Sequence, residues 1–122
     1  MITIGIVGSR RRDTEHDFQK VKSALNTLIH EEKIEADQFR LCSGGCPKGG
    51  DRFAEHIAKD YGVSILIHYP NWPKHGKGAG FIRNTKIAND SDYLIACVAD
   101  DRKGGTEDTI NKFSGKSKVI FA

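Results

Sequence analysis

The sequence has few cysteines, few prolines and no long apolar run, and each shortage excludes a class of protein. Its 122 residues contain 3 cysteines, an odd number too small for a disulfide framework, which argues against a disulfide-stabilised secreted domain. The 3 prolines stand against 13 glycines, which indicates specific turns rather than a disordered chain. Apolar runs such as residues 2–7 fall far short of the roughly 18 residues that a membrane span needs. With no recognisable signal peptide, we expect a cytoplasmic protein without a membrane partner.

Charge is nearly balanced, with 19 basic and 16 acidic residues and a net charge of +3. This excess is smaller than that of dedicated nucleic-acid-binding proteins, so nucleic acid is not the expected partner. Binding of a small anionic ligand is sufficient to explain this small excess of positive charge. The length and the 38% hydrophobic content are typical of one globular domain, which we assign to residues 1–122.

Residues 41–51, with the sequence LCSGGCPKGGD, lie between a predicted strand and a predicted helix. Glycine pairs there allow a ligand to approach main-chain N–H groups, and the helix that follows directs its positive dipole end to the same place. We therefore predict a phosphate-binding loop. The alternative is that the glycines only form a tight turn from strand to helix. The ligand-binding candidates in this loop are Ser43, Gly44, Gly45, Lys48, Gly49, Gly50 and Asp51, and Asp51 is also expected to cap the helix.

Apolar strands and amphipathic helices alternate along the chain. Strands are predicted at residues 2–7, 39–43, 63–69, 93–99 and 119–121, and helices from Asp13 and Thr14 to Ile29 and at residues 51–61, 81–89 and 106–113. This alternation predicts an α/β fold, a single-domain Rossmann-like three-layer sandwich with a five-stranded parallel sheet. Residues 2–7 are the predicted central strand, and residues 70–80 are a predicted loop and a candidate lid.

Three loops are expected to converge at the carboxyl edge of the predicted sheet, where such folds bind ligands. They are residues 8–13, 43–51 and 100–106, with residues 70–80 as a candidate fourth wall. The three consecutive arginines in the first loop are candidate phosphate contacts, and the alternative is a solvated cluster. The last loop is predicted to contribute Gly104, Gly105 and Thr106.

Four motifs are spread over nearly the whole chain, from residue 8 to residue 109. They are GSR at Gly8, Ser9 and Arg10, SGGCPKGGDRFAE at residues 43–55, RNTKIANDSDYLIA at residues 83–96, and GGTEDT at residues 104–109. In this order they resemble the SLOG superfamily, the Rossmann-like group that contains the LOG phosphoribohydrolases and the single-strand-binding protein DprA, and most closely its small YspA-like branch. The resemblance implies binding of a nucleotide or nucleotide-derived molecule, with Arg10 as the preferred phosphate contact of the first loop and Arg83 and Asn84 as further contacts. We expect no separate cofactor.

The resemblance leaves catalysis open. In the LOG enzymes an arginine and a glutamate lie near the N-glycosidic bond of a nucleoside 5′-monophosphate. Arg83 falls on that arginine and is the candidate catalytic residue, but Thr109 stands at the glutamate position. Threonine supplies neither the charge nor the acid–base function of a carboxylate. We therefore expect a binding protein, a sensor or carrier, with phosphoribohydrolase activity and single-stranded nucleic-acid binding as the alternatives.

Two further expectations concern metal and assembly. Cys42 and Cys46 are not spaced as a zinc-binding pair, and no metal site is expected; Cys42 and Cys97 are instead expected in the core. In the LOG relatives the segment equivalent to residues 81–89 helps to build a dimer, and here it begins with Phe81 and Ile82. The alternative is that these side chains pack beneath residues 70–80. We expect a homodimer or a higher even oligomer.

Overall fold

The structure, a computed structural model, describes residues 1–113, 116–117 and 119–122. Its strands are β1 (Ile2–Gly8), β2 (Phe39–Ser43), β3 (Ile65–Ile67), β4 (Tyr93–Cys97) and β5 (Val119–Phe121). They form one five-stranded parallel sheet in the order β3-β2-β1-β4-β5. The predicted Rossmann-like α/β fold and the central position of β1 are therefore confirmed.

The helices are α1 (Glu15–Glu31), α2 (Gly50–Tyr61), α3 (Trp72–His75), α4 (Ala79–Asp90) and α5 (Gly105–Phe113), with 3-10 turns at Ala36–Gln38 and Gly76–Gly78. Helix α1 begins with a capping box in which the side chains of Thr14 and Asp17 satisfy each other's main-chain N–H groups. Helix α2 ends at Gly62 in the left-handed conformation, which glycine adopts without strain. None of the described helices is both long and apolar enough to cross a membrane.

Apolar side chains from the two faces of the sheet form two clusters. On one face Ile4, Ile6 and Leu41 pack against residues of α1 and α2 such as Leu25 and Phe53. On the other face Val7, Cys42, Leu94 and Ala96 pack against Ile87 of α4 and against Ile110 and Phe113 of α5. Cys42 and Cys97 are fully buried, as expected, and burial raises the pKa of both thiols, that of Cys42 to about 11.

The prediction of an irregular loop over residues 70–80 was wrong. This segment contains α3 and a 3-10 turn, and α4 already begins at Ala79. The side chain of Asn71 caps α3 by accepting the main-chain N–H of Lys74 at 3.2 Å, and a proline occupies the first turn. Strand β3 is also shorter than predicted, because regular pairing with β2 covers only Ile65–Ile67.

Candidate functional site

A cleft of about 600 Å³ lies at the carboxyl ends of β1 and β4. The strand order reverses there, because the chain continues from β1 to β2 on one side and returns as β4 on the other. The predicted site residues that line it are Gly8, Ser9, Arg10, Asp51, Arg83, Asn84, Gly104, Gly105 and Thr106. Ser43, Gly44, Gly45, Lys48, Gly49 and Gly50 are absent from the lining. The loops that sequence reasoning expected to converge thus meet at one edge of the sheet.

The second glycine pair of the glycine-rich loop packs against main chain. Gly49 has a φ of 75°, and its N–H donates to Asp13 Oδ1 at 2.7 Å. A Cβ atom on Gly50 would lie 2.6 Å from the carbonyl oxygen of Val7. Both glycines are buried, so their small size allows α2 to begin directly against the end of β1.

The first glycine pair receives side chains from other elements. The guanidinium of Arg83 donates from Nη1 to the carbonyl oxygen of Gly44 at 2.7 Å, and a Cβ atom on Gly44 would overlap this guanidinium. Gly45 has a φ of 75° and lies beneath the ring of Tyr69. These contacts account for both glycines by packing within the protein.

Arg83 and Asn84 connect the glycine-rich loop to the start of α5. Arg83 Nε donates to Asn84 Oδ1 at 2.8 Å, and Asn84 Nδ2 donates to Gly105 O at 3.2 Å and to Asp108 Oδ2 at 3.1 Å. The buried Asn84 amide is therefore satisfied. Across the part of the chain that the structure describes, Arg83 hydrogen-bonds only to amide-type oxygens, so no carboxylate ion pair neutralises its charge.

The three consecutive arginines have different partners. Arg11 binds Asp101 with two hydrogen bonds of 2.7 Å each, and the pKa of Asp101 is lowered to about 2, mainly by Arg11. Arg12 donates to Asp17 and to main-chain oxygens at the ends of β4 and β5. Among residues 1–113, 116–117 and 119–122, the Arg10 guanidinium has no hydrogen-bond or ion-pair partner. Arg10 is exposed at the cleft with its charge available.

Asp51 does not cap α2, which corrects the prediction. The N-cap residue is Gly49, and Asp51 lies in the first turn, where its Oδ2 accepts the main-chain N–H of Cys46 at 3.0 Å. Burial raises the pKa of Asp51, although hydrogen bonds from the Cys46 and Gly44 N–H groups and the nearby charge of Arg83 act in the opposite direction. Asp51 is thus a buried carboxyl that holds the glycine-rich loop and lines the cleft.

Several cleft residues were not predicted as site residues. Arg11, Cys46, Asp101 and Lys103 come from loops that were predicted to converge, so their loop positions were the available signal. Val7 and Ile87 carry no such signal, because they belong to regular elements and are buried, whereas Thr109 was marked by its place at the glutamate position of the LOG enzymes. No group of three or more His, Cys, Asp or Glu side chains within the described residues is placed to hold a metal ion.

Fold and cleft define a Rossmann-like α/β protein with a polar cleft where the strand order reverses. No protein-family model matches this chain, and no curated protein or solved structure is significantly similar to it. The resemblance to the SLOG superfamily rests on the sequence motifs and stays a prediction.

Proposed function

We propose that the protein binds a nucleotide or a nucleotide-derived small molecule in this cleft, as a sensor or carrier of the SLOG type. The observation that carries the proposal is the cationic lining of the cleft: Arg10 has no partner among the described residues, and Arg83 has no carboxylate partner there. Guanidinium groups without a carboxylate partner favour phosphate as a ligand.

The start of α5 supports a phosphate position near Arg10. Gly104 has a φ of 120°, and Gly105 and Thr106 are the first residues of the helix, whose leading N–H groups lack intrahelical partners. These three residues line the cleft together with Arg10. The positive end of a helix and a guanidinium attract the same anion, so we place the phosphate there.

The rest of the lining suits the neutral part of a nucleotide. Val7 and Ile87 contribute apolar surface, and the cleft volume of about 600 Å³ lies in the range of small-molecule sites. The three cysteines among the described residues are free thiols, which agrees with the cytoplasmic location that we include in the proposal.

The phosphoribohydrolase alternative gains no support from the turn around Thr109. Glu107 is bound by Arg102 in two hydrogen bonds of 2.9 Å, and Asp108 accepts hydrogen bonds from Asn84 and Lys112. Neither carboxylate replaces the glutamate that the LOG enzymes have at the position of Thr109. Single-stranded nucleic-acid binding likewise has no supporting observation in the cleft, so we propose no second function.

Thermal unfolding with a ligand panel tests the proposal. The panel contains nucleoside monophosphates, ADP-ribose, cyclic ADP-ribose and cyclic dinucleotides, and a true ligand at 100 times its Kd adds about 2.7 kcal/mol to the free energy of unfolding. Arg10→Gln should abolish most of the shift in melting temperature, because it removes a phosphate contact. Lys59→Gln removes the same charge in the exposed last turn of α2 and should leave the shift unchanged. No shift with any panel member would refute the proposal.

We further propose that the protein is a two-fold homodimer, or a higher even oligomer, assembled through α4. Phe81 is 58% exposed in the single chain, so it does not pack beneath residues 70–80. Ile82, Trp72 and Tyr69 are exposed as well. Several large apolar side chains on neighbouring segments are typical of a surface that another subunit covers.

A further inference from the structure

Asp51 differs from the other carboxylate of the cleft. Asp101 is 44% exposed at its side chain and is neutralised by the two hydrogen bonds from Arg11. Asp51 is only 8% exposed, and within the described chain no cation is hydrogen-bonded to it, although the charge of Arg83 lies nearby. Burying a carboxylate with no cation bound to it costs free energy. A ligand group that donates a hydrogen bond to the carboxylate would reduce this cost.

The carboxyl of Asp51 retains capacity for hydrogen bonds. A carboxylate offers about four acceptor positions, and the main-chain N–H of Cys46 uses one of them. Asp51 lines the cleft, so a ligand there reaches the remaining acceptor positions. A phosphate at this place would be repelled by the negative charge, whereas a hydroxyl group would donate a hydrogen bond.

The charges of the cleft therefore define two ends. Arg10 and the start of α5 follow β1 and β4 and attract an anion. Asp51 follows β2 and attracts a neutral donor, because the nearby Arg83 is hydrogen-bonded to Gly44 and not to Asp51. A nucleotide has this polarity, with a phosphate at one end of a sugar that carries hydroxyl groups. Dinucleotide-binding Rossmann domains use an acidic side chain in the same chemical role, as the acceptor of a ribose hydroxyl.

We propose that Asp51 accepts a hydrogen bond from a ribose hydroxyl of the bound nucleotide, so that the cleft selects ribonucleotides over their deoxy forms. This inference rests on the proposed function and adds the sugar to it. Asp51 then acts as a ligand contact and is not a phosphate contact, although it belongs to the glycine-rich loop that was predicted to bind phosphate.

Calorimetric titration with AMP, GMP, CMP and UMP, and with their 2′-deoxy and 3′-deoxy forms, tests the inference. A hydrogen bond to a charged group changes affinity by about tenfold or more, so loss of the contacted hydroxyl should weaken binding by that factor. In Asp51→Asn the ratio between the ribo and deoxy forms should fall towards one. The matched control Asp60→Asn lies in the exposed end of the same helix and should keep the wild-type ratio.

Each outcome separates this inference from the proposed function. Equal affinity of the wild-type protein for ribo and deoxy forms overturns the role of Asp51 and leaves the proposed function unaffected. A preference that persists in Asp51→Asn overturns it as well, and Asp51→Ser replaces this variant if circular dichroism shows that the asparagine protein does not fold. Failure of all four ribonucleotides to bind overturns the inference, and failure of the whole ligand panel overturns the proposed function too.

Discussion

At the scale of single residues, Asp17 shows how a buried charge is stabilised in the first turn of α1. Its carboxylate accepts hydrogen bonds from Arg12 Nε at 2.9 Å and from the Thr14 hydroxyl at 2.8 Å. Burial by itself would raise the pKa of Asp17, but the hydrogen bonds from Thr14 and the ion pair with Arg12 together lower it below 3.8. Asp17 therefore stabilises the fold in its ionised form.

This lowered pKa predicts a loss of stability in acid. Between the folded-state pKa and the unfolded value of 3.8, the unfolded chain binds more protons, so the contribution of Asp17 to the free energy of unfolding falls as the pH drops through this window. Asp17→Asn should lower the free energy of unfolding near pH 7 by about 1–3 kcal/mol. When the pH is lowered from 7 to below about 4, the variant should lose less stability than the wild type. Urea unfolding at both pH values measures this. An acid dependence equal to that of wild type would contradict the role of Asp17.

The three arginines after β1 show where prediction from single residues ends. The motif GSR singled out Arg10, and the structure leaves Arg10 unpaired within its described residues. Apart from this motif, nothing in the sequence distinguished Arg10 from the two arginines that follow it, because all three have the same chemistry and adjacent positions. Arg11 is bound to Asp101, a partner 90 positions away, and Arg12 to the ends of two strands, and such contacts follow from the tertiary fold.

At the scale of elements, the position of α2 depends on Gly50, whose surroundings leave no space for a side chain. A Cβ atom on Gly50 would contact the main chain of Val7 and Gly8, which cannot move without shifting β1. Gly50→Ala should therefore lower the free energy of unfolding by at least about 1–3 kcal/mol, the usual cost of overpacking. Chemical denaturation of the variant and the wild type gives this difference.

Gly78→Ala is the matched control for this substitution. Gly78 precedes α4 with a φ of −80°, and a Cβ atom there would meet no atom within 4 Å. The control should be neutral or stabilising by about 0.4–1 kcal/mol, because alanine restricts the unfolded chain. Equal effects of the two substitutions would show that close packing of α2 against β1 is not what requires Gly50.

Element type was predictable where periodicity was long, and cap chemistry was predictable only in part. Thr14, which begins the predicted first helix, is the N-cap residue of α1, and the glycine after Tyr61 is a residue type that favours the C-cap it forms on α2. Helix α3 was missed because four residues are too few to show a helical period. The role of Asp51 was missed because its carboxyl reaches back to Cys46 instead of the helix end.

At the scale of the whole molecule, strict alternation was enough to predict the parallel sheet and the meeting of its loops. Parallel strands place the loops that follow them on one edge, and this brings Arg10, Cys46 and Gly104 to one cleft. Alternation did not reveal that the glycine-rich loop packs against Val7, Arg83 and Tyr69, because glycines that admit a ligand and glycines that admit a neighbouring side chain look alike in sequence.

The proposed dimer gives the prediction for the whole molecule. Phe81 is exposed on α4, where the Lys112 ammonium lies 5.7 Å from the centre of its ring. A buried glutamate at this position would have to shed its hydration at the subunit contact, so Phe81→Glu should dissociate the dimer and preserve the circular dichroism of the subunit. Light scattering at micromolar concentration should give a mass of 13.5 kDa for the variant and about twice that for the wild type.

Phe121→Glu is the control, because Phe121 is 51% exposed on β5 and lies outside the proposed contact. It makes the same chemical change and should leave the assembly intact. A wild-type mass of 13.5 kDa would exclude the dimer. Dissociation by Phe121→Glu would show that the subunit contact involves the β5 edge. If nucleotide binding survives dissociation by Phe81→Glu unchanged, Arg83 acts within its own chain, and each subunit carries a complete cleft.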